Sequence, residues 1–134
     1  MSDDQPARPE EEEARTLSEN GDPEGKFANV RRYITYLERS LAAGTEWAVF
    51  ENNGEALWAQ VRNTIDDFLQ NEWVSGALKG TSPQQAYFVR CDRTTMSQND
   101  LDNGRLVCEV GVAPVKPAEF VIFRISQWTA DRKK

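Results

Sequence analysis

From Phe27 onward the large apolar residues fall at Phe27, Val30, Ile34, Leu37 and Leu41, steps of three and four that set one stripe on one face of a helix. The opposite face carries Arg31, Arg32, Glu38 and Arg39. Asp22 followed by Pro23 predicts the start of this helix, because Asp caps free backbone N–H groups and Pro is tolerated in the first turn. Gly44 predicts its end. A second stripe follows at Leu57, Trp58, Val61, Ile65, Phe68, Leu69 and Trp73, with Asn52 or Asn53 as the cap and Gly76 as the stop. Between the two, Glu46–Phe50 is short and aromatic and reads as a buried strand or extended connector. Trp47, Trp58 and Trp73 are expected to face the core.

Beyond Gly80 the period changes. Tyr87–Cys91, Arg105–Val112 and Phe120–Ile125 are rich in β-branched and aromatic residues and predict three strands. The turn-prone stretches 97–104 and 113–118 link them. The predicted fold is α+β, two helices packed on a small mixed β-sheet.

The last predicted strand carries apolar side chains on both faces. Phe120 and Ile122 alternate against Val121, Phe123 and Ile125, and only Arg124 and the nearby prolines guard it as edge strands are usually guarded. Strand addition between copies, or with a partner, is therefore expected. Trp128, set among polar and basic residues just after this run, is the aromatic most suited to anchor in a neighbour.

At 134 residues, 39% hydrophobic and 28% charged, the chain has the size and composition of one globular domain. Residues 1–13 hold Asp3, Asp4 and Glu10–Glu13 against Arg8, which is five of the six net negative charges. This stretch lacks the apolar bulk to offset its ordering entropy and is expected to be a disordered acidic tail, with 14–128 as the folded domain and 129–134 as a basic end. A nearly neutral body behind an acidic tail argues against nucleic acid, which needs concentrated positive charge. No apolar run is long enough for membrane insertion, and the N-terminus lacks the basic and apolar parts of a secretion signal, so a cytoplasmic product is expected.

The sequence contains no histidine, which removes the usual general base and metal ligand. No catalytic, metal or cofactor site is expected; Asp66, Asp67 and Glu72 are the carboxylates left to an enzymatic reading. Arg90, Asp92 and Arg93 read as an ion-paired strand end that orders the following loop. Cys91 and Cys108 lie inside apolar strand-like runs and are expected to be buried free thiols.

Six stretches, in order, carry a family resemblance: Phe27-Ala-Asn-Val-Arg-Arg32, Gly44-Thr-Glu-Trp-Ala-Val-Phe-Glu-Asn-Asn53, Leu57-Trp-Ala-Gln-Val-Arg62, Tyr87-Phe-Val-Arg-Cys-Asp-Arg-Thr-Thr-Met96, Asn103-Gly-Arg-Leu-Val-Cys-Glu-Val-Gly-Val-Ala-Pro114 and Pro117-Ala-Glu-Phe-Val-Ile-Phe-Arg-Ile125. Together they resemble the C-terminal domain of contractile tail sheath proteins of bacteriophages and related injection particles. The resemblance implies a structural, non-enzymatic domain packed around an inner tail tube protein. It also implies neighbouring sheath subunits linked by extended arms that add strands to one another, made in the cytoplasm and held in the assembled tail. Phe120, Val121, Ile122, Phe123, Arg124, Ile125 and Trp128 fall on the arm region and are the expected subunit interface. Arg31 and Arg32 are the expected contacts to tube or neighbour, since surface charge governs register and orientation. Members of the family are several times longer, which leaves open a minimal sheath, an accessory that caps or regulates sheath assembly, or one piece of a larger sheath protein.

Overall fold

The computed structural model describes residues 23–116 and 119–133, with side chains from Ala28 onward. The expected acidic tail and the ordered start at Ala14 lie outside the described residues. The chain divides into two units, 1–37 and 38–134.

In the first unit the described chain is helical, the N-terminal part of α1 (Pro23–Gly44). Its periodicity appears as Val30 and Ile34 half-buried and Leu37 buried, while Arg31 and Arg32 are exposed. Arg32 donates to Asn29 Oδ1 one turn back. Tyr33 and Tyr36 meet at 5.9 Å on the same helix.

The second unit begins in the last turns of α1, where Leu41 is buried. Glu46–Phe50 is a 3-10 turn, not the buried strand or connector expected, and Phe50 is 81% exposed. Local polar bonds explain the difference. Buried Thr45 donates through Oγ1 to the Leu41 carbonyl at 2.7 Å, and Trp47 Nε1 donates to Gly44 O at 2.9 Å, so the backbone coils tightly instead of extending. Ala48 alone of the turn is buried.

Helix α2 (Glu55–Val74) buries Leu57, Trp58, Val61, Ile65 and Leu69 of the stripe read from the sequence, and leaves its Phe68 and Trp73 half-buried. Gly54 stands at its N-cap, without a side-chain cap, because Asn53 is otherwise engaged: its Oδ1 accepts from Trp58 Nε1 at 2.8 Å. The end is a Schellman arrangement, with Ala77 N donating to Glu72 O at 2.9 Å and Gly76 N to Trp73 O at 3.0 Å. Gly76 makes it possible at φ +93°. Of the three tryptophans expected in the core, Trp58 is buried, while Trp47 and Trp73 are half-buried with their indole N–H groups on the carbonyls of Gly44 and Gly80.

A short helix α3 (Pro83–Ala86) leads into β1 (Tyr87–Arg90). A 3-10 turn (Arg93–Thr95) and the short helix α4 (Gln98–Asp102) connect it to β2 (Arg105–Val112), and β3 (Val121–Trp128) follows. The sheet order is β1-β2-β3, antiparallel at both pairings. It is therefore not mixed. The β2–β3 connection, residues 113–120, is too short for a crossover, and the segment expected to supply another strand coils into the 3-10 turn.

Register sorts the side chains into two faces. Leu106, Cys108, Val110 and Val112 of β2 and Phe123 and Ile125 of β3 point inward and are buried, and α2 lies against β1 at this side. Burying each such side chain stabilises the fold by roughly 1.5–3 kcal/mol.

Candidate assembly interface

The outward column Phe88, Gly111, Ile122 runs across all three strands. A Cβ at Gly111 would come within 2.1 Å of the Phe88 ring, so glycine there lets Phe88 lie flat over β2. Phe120 meets Phe88 edge-on at 5.2 Å. Phe120 is 44% and Ile122 55% exposed, an apolar end to this face.

The next column is charged. Glu109 on β2 accepts from Arg90 Nη1 at 2.8 Å and lies 3.4 Å from Arg124 Nη2, one carboxylate between two guanidiniums from the flanking strands. Such exposed pairs are worth at most about 1 kcal/mol and fix register more than stability.

At the far end of the outer face Trp128 pairs with Arg105. Its ring lies under the Arg132 guanidinium at 4.4 Å, with Arg105 at 5.9 Å. The chain after β3 turns back on its own domain. Buried Thr129 donates from N and from Oγ1 to Gly104 O at 3.0 and 2.8 Å, and Ala130 N donates to Glu51 O at 2.9 Å. The Asp131 carboxylate accepts from Asn52 Nδ2 at 2.8 Å and from Asn53 N at 3.0 Å.

The β1–β2 connection is held by two capping boxes. Asp92 accepts from Thr94 N at 2.8 Å and from the Thr94 hydroxyl, and Arg90 Nη2 donates to Thr94 Oγ1 at 2.6 Å, so the strand end orders the loop as expected. The Thr94 hydroxyl, with further help from its amide, holds the Asp92 carboxyl below the usual range. The Ser97 backbone does the same for Asp100. A lowered folded-state value stabilises above the unfolded value of about 3.9 and is lost as pH falls through the folded one. Amide exchange at Thr94 and Ser97 should therefore lose protection below that value while the β2 core amides stay protected. Asp92→Asn should remove the pH dependence at Thr94 alone.

The residues expected at a subunit interface divide by face. Phe123 and Ile125 belong to the domain's own core, Val121 is half-buried, and Phe120, Ile122, Arg124 and Trp128 are exposed on the outer side. On its far side β3 pairs with no strand among the described residues. Arg31 and Arg32 lie on α1 in the first unit.

The family model of the phage tail sheath C-terminal domain matches residues 21–127. The chain belongs to that family. Among solved structures, this sheath domain is similar to a chain of the anti-feeding prophage baseplate, at TM-score 0.61 and 38% identity over 71% of this chain and 27% of that one. It is equally similar to a chain of the sheath complex of an extracellular contractile injection system, PVC, in the contracted state, at TM-score 0.60 and 38% identity with the same coverage. No curated protein sequence matches it. The sheath domain thus spans about a quarter of the length of those structural neighbours. The matched family is that of the phage tail sheath, and the second of these neighbours is itself a sheath complex. Among the described residues no helix is long and apolar enough to cross a membrane.

Two parts of this surface escape the reading of the sequence. Periodicity makes Phe88 only a strand residue, although a glycine inside the β-branched run of β2 signals a close approach from a neighbouring strand. The Asp131 turn had no local pattern, since its partners Asn52 and Asn53 lie 79 and 78 residues away in sequence.

Proposed function

We propose that the sheath domain assembles with other sheath subunits around an inner tail tube, and that β3 is where a neighbour's strand is added. One observation carries the reading: β3 is an edge strand with Ile122 exposed on its outward face and exposed Phe120 just before it. An unguarded apolar edge offers main-chain groups for affinity and alternate side chains for specificity. Phe120, Ile122, Arg124 and Trp128 meet the neighbour through side chains, whereas Val121, Phe123 and Ile125 contribute backbone and hold the strand to its core. Arg31 and Arg32 are exposed on one helix face and dock on tube or neighbour, where each pair is weak but repeats in every copy. The domain needs neither nucleic acid nor membrane for this, and it waits in the cytoplasm until assembly.

Co-sedimentation with purified tube tests the reading. Pelleting that depends on tube, and that weakens in the double variant Arg31→Glu, Arg32→Glu, is expected. A monomer that stays in the supernatant with tube, with sheath subunits and with both together contradicts it. The acidic composition of residues 1–13 favours one second reading, an accessory that caps or regulates sheath assembly. In that case removing residues 1–13 raises the pelleted fraction.

A further inference from the structure

The chain has two cysteines, and the sheet brings them together. Ala113 N donates to Ala86 O at 2.9 Å, the bond that flanks Tyr87↔Val112 when that is a non-hydrogen-bonded pair of an antiparallel ladder. Hydrogen-bonded and non-hydrogen-bonded pairs then alternate along the register Tyr87↔Val112, Phe88↔Gly111, Val89↔Val110, Arg90↔Glu109. The next position sets Cys91 opposite Cys108 in a non-hydrogen-bonded pair. In such pairs the Cα atoms are about 4.5 Å apart and the side chains are closest, inside the span of roughly 4.4–6.8 Å that a disulfide bridges. Both residues share the inward face with Val89 and Val110, and both are buried and free. A hydrogen bond between the two thiols, with burial second, pushes the Cys108 thiol up. Cys91 follows the last residue of β1, a strand of four residues at the edge of the sheet, so opening one short strand end exposes its sulfur.

We infer that Cys91 and Cys108 form an oxidisable dithiol, closed by a peroxide into a cross-strand disulfide that ties the edge strand β1 to β2. Cys91 loses its proton and its sulfur attacks one peroxide oxygen. The O–O bond breaks, the second oxygen leaves as water with that proton, and Cys91 is a sulfenic acid. The Cys108 sulfur then attacks the Cys91 sulfur. The S–O bond breaks and a second water leaves with the Cys108 proton. Two thiols are oxidised by two electrons and one peroxide is reduced to two waters. The bond closes the loop of residues 92–107, which stabilises chiefly by restricting the unfolded chain.

The test treats the full reduced chain with hydrogen peroxide under native conditions, then quenches with acid and alkylates in denaturant. The expected product is monomeric, two hydrogen masses lighter than the reduced chain and without alkylatable thiol. Its Tm is raised by about 10 °C, and dithiothreitol reverses the rise. In Cys108→Ser a dimedone adduct should accumulate on Cys91, with none on Cys108 in Cys91→Ser. Two thiols still alkylatable, a sulfinic acid in place of the disulfide, a disulfide-linked dimer, or a Tm that fails to rise would each overturn the inference.

Discussion

Replacing Ile122 by glutamate is expected to leave the monomer folded and to lower its incorporation into tube-bound sheath at least tenfold. Ile122 is 55% exposed in the single domain, in the column with Phe88 and Gly111, so the substitution removes little burial and costs the fold less than about 1 kcal/mol. In an assembly that covers this face the same residue loses its remaining contact with water. A carboxylate placed there must be desolvated without a partner, and a tenfold change in affinity needs only about 1.4 kcal/mol. The contact repeats in every subunit, which multiplies the loss. The adjacent residue supplies the contrast. Phe123 is 8% exposed and faces the core, so Phe123→Glu buries an unpaired charge and should prevent folding altogether. Circular dichroism of the two monomers and pelleting with tube separate the effects. Equal pelleting of Ile122→Glu and wild type would remove the outer face of β3 from the interface.

Gly104→Ala is expected to be the most destabilising change of a single methyl group in the domain, by about 2–4 kcal/mol, with a fall in Tm of about 10 °C. Gly104 has φ +75°, a conformation that costs an L-residue about 1 kcal/mol. The added Cβ would also stand 2.3 Å from the carbonyl carbon of Asp131 and 2.4 Å from Arg132 N, backbone that has no flexible end to yield. The C-terminal turn must move. It then loses the bonds from Thr129 to Gly104 O, exposes a buried threonine and frees Asp131 from Asn52 and Asn53. Asp131→Ala removes the carboxylate bonds without backbone strain and should show a smaller loss, near 1 kcal/mol. Thermal unfolding of the three chains checks the ranking; a Gly104→Ala protein within about 0.5 kcal/mol of wild type contradicts it.

Much of this architecture was legible because periodicity reports burial directly. The stripes of α1 and α2 and the extent of β2 follow from spacing, and alternation separates Phe120 and Ile122 from Phe123 and Ile125, although only the structure shows which set faces the core. Glu46–Phe50 failed that reading because five residues are too few to show a period, and buried Thr45 decides its conformation through a bond to Leu41. The antiparallel sheet was hidden for a related reason, since strand direction depends on which segments pair. Asn52 or Asn53 is the cap the sequence offers, but Asn52 bonds to Asp131 and Asn53 to Trp58 and Arg105 O, partners brought to them by the fold. The interface residues were found as a strand with two apolar faces, yet only register shows that Gly111 makes room for Phe88 beside Ile122.

Cryo-electron microscopy of this chain assembled on tube would test the central claim most directly, by showing what lies beside β3. The account predicts a strand from a neighbouring subunit hydrogen-bonded along the free edge of β3 at about 4.8 Å, with Phe120 and Ile122 covered. An assembled particle in which that edge still faces solvent would contradict it.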